Sequence, residues 1–68
     1  MTRTTYDLEL FTGGKKITIP EFETENSARL AGIFLQTLRD DITLFEISEI
    51  VHTRSTATKS TRQVNRLR

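Results

Sequence analysis

Cysteine is absent from this chain, which excludes disulfide staples and thiolate-rich zinc sites. The single histidine, His52, argues against a histidine metal cage. Long apolar runs are absent too. The longest, residues 30–35, is broken by Gly32 and falls far short of the ~20 residues a membrane helix needs. The first residues lead into alternating polar positions instead of an apolar leader, so the expected compartment is the cytoplasm. With 68 residues there is room for one core, and so short a chain buries a small share of its surface. Scaffolds of this size without disulfides or a metal lean on a partner subunit. A protein partner or a second copy is therefore expected by elimination.

Acids are missing from residues 53–68. Arg54, Lys59, Arg62, Arg66 and Arg68 stand there without a counter-charge, a net of +5. Residues 1–52 set five basic residues against all nine acids, a net of −4. The apolar residues thin out at the same point, with only Ala57, Val64 and Leu67 beyond it. This shift divides the chain into a body, 1–52, and a basic Ser/Thr/Arg-rich tail, 53–68, expected to be flexible.

Residues 5–11 alternate, with Tyr6, Leu8 and Leu10 on one face and Asp7 and Glu9 on the other, the period of a half-buried strand. Gly13-Gly14 supplies a two-residue turn, and Ile17 and Ile19 continue the alternation. With that turn Leu10 faces Ile17 and Leu8 faces Ile19, and a slip of one residue would destroy the match. Pro20 lacks an N–H donor and marks an edge strand or a strand end. Thr24 is the expected N-cap of a helix running to about residue 40, with Asn26 as a rival cap. Ala31, Phe34, Leu35 and Leu38 form its expected core stripe, with Ala28 and Leu30 at its margins, and Ile33 lies off it. Residues 42–53 read as a third strand of mixed phase, reconciled either by a bulge near Ser48-Glu49 or by partial cover on both faces.

The expected fold is α+β: a ββαβ unit, a three-stranded antiparallel sheet in order 2-1-3, with one helix on one face. The expected core is Leu8, Leu10, Ile17, Ile19, Phe34, Leu35, Leu38, Phe45 and Ile47. Phe11 and Phe22 fall out of phase with their strands.

Catalytic chemistry finds little support. Ser48 and His52 are four residues apart on one strand face, about 13 Å by strand rise, which is beyond hydrogen-bond reach. The acids Asp7 and Glu9, and Asp40 and Asp41, lack a third ligand at metal spacing. Gly13-Gly14-Lys15-Lys16 joins two strands, whereas a phosphate-binding loop joins a strand to a helix. No catalytic residue, metal site, cofactor or small-molecule substrate is expected.

Two functional readings remain. The first is a non-enzymatic protein-binding module, a homodimer, adaptor or inhibitor, of the size usual among phage and mobile-element accessory proteins. Its expected partner surface is the free edge of the third strand, Leu44, Glu46, Ser48 and Ile50, together with Ile33. Such an edge is a template for another strand. The alternative is a nucleic-acid-binding protein acting through Arg54, Lys59, Arg62, Arg66 and Arg68 on a phosphate backbone. The tail has no aromatic residue for base stacking, so that binding would be weakly sequence-specific. The competing outcome is a disordered, solvated tail, with folding back on its own acidic body as a variant of it.

Overall fold

The computed structural model describes residues 2–66. Strand β1, Arg3–Thr12, and strand β2, Lys15–Phe22, form the hairpin; helix α1, Glu25–Leu38, strand β3, Ile42–His52, and strand β4, Ala57–Arg66, follow. All neighbours are antiparallel in a four-stranded sheet of order β2-β1-β3-β4. One helix on an antiparallel sheet is the expected architecture. The strand count is not: residues 57–66 join the sheet as β4, where a flexible tail was expected. They pair with β3 from Leu44↔Arg66 to His52↔Ala57.

The hairpin has the register that the turn dictates, Thr12↔Lys15, Leu10↔Ile17 and Leu8↔Ile19. Gly14 takes φ 86°, a conformation that suits glycine. Beyond Ile19 the register shifts, so that Tyr6 faces Phe22, and Glu21 sits at φ 66°. That bulge carries one extra residue and turns Phe22 onto the core side beside Ile19. A second bulge lies between Leu44 and Ile42, leaving Thr43 unopposed on β1. It turns Ile42 onto the same side as Phe45, where both are fully buried. The register against β1 is unbroken at Ser48-Glu49; the irregularity there lies against β4, at Ile47/Ser48, and both faces of β3 are partly covered, with Ile47 and Ser48 each fully buried. Glu49 stays on the helix-side face and accepts a hydrogen bond from the Tyr6 hydroxyl at 3.3 Å.

The helix begins where expected. Thr24 Oγ1 accepts from the Ser27 N–H at 3.0 Å. Its orientation differs from the expected one. Ala28 and Gly32 are buried, with Ala31 and Leu35 packed beside them. A Cβ on Gly32 would lie 2.8–2.9 Å from three atoms of the Phe45 ring, so only glycine lets the helix settle there. At the closest approach to the sheet the helix side chains are therefore small, with Leu35 packed beside them, while Leu30, Phe34 and Leu38 face outward. Phe34 and Leu38 are 62% and 63% exposed, and Ile17 is exposed at the rim, so these three leave the expected core. The buried apolar core is Leu8, Leu10, Ala28, Ile42, Phe45 and Ile47, with Ile19 and Leu35 half-buried.

Candidate functional site

The helix surface away from the sheet carries Leu30, Ile33, Phe34 and Leu38, exposed by 54%, 38%, 62% and 63%. Leu30, Phe34 and Leu38 recur at intervals of four, and one row of side chains on a helix has that spacing. Ile33 and Thr37 form the neighbouring row, with the Thr37 hydroxyl turned back onto the Ile33 carbonyl at 2.9 Å. No acid or base interrupts the five positions. The helix direction is fixed at both ends, by the Thr24 cap and by Arg39, whose N–H donates to the Leu35 carbonyl at 2.9 Å. An apolar ridge is thus held in the open on the helix that closes the core. Ile33 is the one residue of the expected partner surface that lies on it.

The other expected partner residues stand elsewhere. Leu44, Glu46, Ser48 and Ile50 lie on the helix-free face of β3. Strand β3 is not an edge: β1 pairs with one side and β4 with the other. The opening that would have admitted a foreign strand is filled by the chain's own residues 57–66.

Two carboxylates explain why the basic segment docks there. Glu9 is buried on the helix-free face at 5% exposure. Lys59 reaches over β3 to it at 2.9 Å, and Lys16 approaches at 3.7 Å. The Lys59 hydrogen bond, joined by the charges of both lysines, holds the Glu9 carboxyl below the usual carboxylate range despite its burial. The same hydrogen bond raises the Lys59 ammonium above its ordinary value. At the opposite face, Arg62 lies 3.8 Å from Glu25, and the Gln63 amide also donates to Glu25. Consecutive residues of a regular strand point to opposite faces. Here β4 has its own bulge, since Ile47 faces Gln63 and Ser48 faces Thr61. Arg62 is the extra residue, and the bulge sends both neighbours to one carboxylate.

Of the proposed nucleic-acid set, Lys59 and Arg62 are therefore engaged with body acids. Arg54 lies in the β3–β4 turn, Arg66 faces Leu44 at the end of β4, and Arg68 lies outside the described residues. The four described positions do not converge on one groove.

Ser48 is fully buried and its Oγ has no hydrogen-bond partner among the described residues. His52 Nε2 is 2.9 Å from Thr5 Oγ1 on the neighbouring strand. Lys59, the amine that passes over this face, is held protonated by Glu9. Ser48 consequently lacks an adjacent base to activate it. Among the described residues no group of three potential metal ligands and no cavity is found, and no helix is long and apolar enough to cross a membrane.

Sequence reasoning missed the ridge because it set the apolar stripe of Ala31, Phe34, Leu35 and Leu38 against the sheet. The signal lay in the small residues: Ala28, Ala31 and Gly32 share one helical face, opposite Leu30, Ile33 and Phe34. No family model matches the chain, and no curated protein or solved structure matches it either.

Proposed function

We propose that this chain is a non-enzymatic protein-binding module and that its binding surface is the outward face of α1. The observation that carries this reading is the inversion of the helix: Ala28 and Gly32 face the sheet while Phe34 and Leu38 face out. A helix evolved only to cover a sheet places its large apolar side chains inward. The largest apolar patch of a soluble monomer, typically ~300–600 Å2, is often a functional surface. The nucleic-acid reading draws less support, because its best-placed cations are spent on Glu9 and Glu25.

A photo-crosslinking side chain at position 34, compared with one at exposed Thr58 on β4, tests the reading in intact cells. Position 34 is expected to give a discrete protein adduct that Thr58 does not, and binding of the purified partner is expected to be lost in Phe34→Glu. Equal labelling from the two positions, or adducts with nucleic acid alone, would overturn it.

A further inference from the structure

We infer that the occupant of the helix face is a second copy of this chain, packed antiparallel about a two-fold axis through Phe34. The inference rests on the reading of that face as a binding surface and adds who binds there.

Symmetry is the first argument. A two-fold interface brings one patch against itself, so a residue before the axis meets its counterpart after it. The ridge reads Leu30, Phe34, Leu38, and it is the same from either end. With Phe34 on the axis, Leu30 of one copy meets Leu38 of the other. Rows spaced by four pack against each other at a crossing angle of about −50°. At that angle the helices diverge within two turns of the crossing. Arg29 and Arg39, five residues either side of Phe34, stand about 140° round the helix from it and so lie off the contact. Arg39 is also bound to Asp41 at 2.7 Å, and Arg29 to Asn26 at 2.9 Å, so neither cation projects along the ridge.

The absence of charge on the ridge agrees with this. The contact positions 30, 33, 34, 37 and 38 are uncharged, so two identical faces meet without repulsion. The sheet's two edges are the other routes to pairing; β2 is blunted by Pro20, which leaves the outer edge of β4. Lys59, Arg62 and Arg66 lie on that strand, and two such strands side by side would set like charges together. From their exposures, the four ridge side chains present on the order of 400 Å2 of apolar surface, against ~800 Å2 per partner in a standard interface. The dimer belongs to the small, reversible class, and its population depends on concentration.

Sedimentation velocity from low to high micromolar concentration tests the inference on the full chain. The wild type is expected to pass from monomer to dimer. Phe34→Glu is expected to raise the dissociation constant by at least ~100-fold, because the charge enters twice at the centre of the contact. Thr58→Glu adds the same charge on an exposed strand and is expected to change nothing. The chain has no native cysteine, so single cysteines then report the geometry. Phe34→Cys is expected to form a disulfide-linked dimer under mild oxidation. A mixture of Leu30→Cys and Leu38→Cys is expected to couple 30 to 38 in preference to 30 to 30 or 38 to 38. A wild type that stays monomeric throughout, a dimer that survives Phe34→Glu, or preferential 30-to-30 coupling would each overturn the inference. A monomer whose position 34 still crosslinks to a different protein overturns the self-pairing and leaves the binding surface standing. A monomer with no such adduct removes both.

Discussion

Lys59, on the last strand, places its ammonium 2.9 Å from the Glu9 carboxylate on the first, spanning the strand between them. The contact joins two segments of opposite net charge and closes the basic segment onto the acidic body. Glu9 is almost wholly covered, while Lys59 is about half exposed.

Lys59→Met removes the principal partner of a buried carboxylate and leaves only Lys16 at 3.7 Å. The expected loss is about 1–2 kcal/mol at neutral pH, a modest figure because water screens the exposed amine. Acid has a parallel effect on the wild type. The folded-state pKa of Glu9 is depressed, so its contribution is present above the ordinary carboxylate value of ~4 and is lost as pH falls through the lower folded value. The Lys59 pKa is raised, so its share is present below ~10 and is lost as pH rises through the higher folded value. Urea midpoints at pH 7 and pH 3 are expected to converge in Lys59→Met relative to wild type, and an unchanged difference would contradict the pairing.

Phe34→Ala is expected to cost less than ~1 kcal/mol in dilute protein, where no second copy covers the ring. Phe45→Ala is expected to cost about 3–5 kcal/mol, because that ring is fully buried under Gly32. Chemical denaturation of the two variants at one low concentration checks the helix orientation directly. Similar losses would mean that Phe34 belongs to the core.

Gly32→Ala sets two effects against each other. Alanine gains about 1 kcal/mol of helix propensity over glycine. The added methyl, however, meets three Phe45 ring atoms at under 3 Å, and overpacking of that kind costs about 1–3 kcal/mol. A net loss is expected, and Phe45→Leu in the same chain is expected to recover part of it. A stabilised single variant, read from the thermal midpoint, would show that the helix has room to lift.

Strand β4 is expected to be slow to exchange at the amides that bond to β3, and fast at those along its outer edge. Deleting residues 57–66 strips one whole side of β3 and leaves Glu9 with Lys16 alone, so a large loss of stability is expected. Uniformly fast amide exchange over 57–66, or a deletion variant as stable as the full chain, would mean that the strand is not held in solution.

The hairpin was legible because turn chemistry and alternation agreed on a single register. Phe22 and Ile42 were not legible, because each reaches the core only through a bulge, and a bulge changes the period from which burial is inferred. The last strand escaped detection for a different reason. Backbone ladders and two distant carboxylates, Glu9 and Glu25, hold it, and none of its side chains is buried. Hydrophobic periodicity has nothing to register in such a segment. The opposite charges of body and tail were visible, but they said nothing about the strand that would lie between them. As for the candidate surface, Ile33 was visible as a residue off the stripe, whereas Leu30, Phe34 and Leu38 were hidden by the assumption that bulk belongs inside.

The contact of Gly32 with Phe45 has a kinetic consequence. Backbone lies directly on a ring there, beside the half-buried Leu35, and the helix cannot settle closer to the sheet. If the ridge binds as proposed, its backbone is supported from below, so little conformational entropy is lost on contact and no slow rearrangement is expected. Differences in affinity among ridge variants should then appear almost entirely as differences in how long the complex lives.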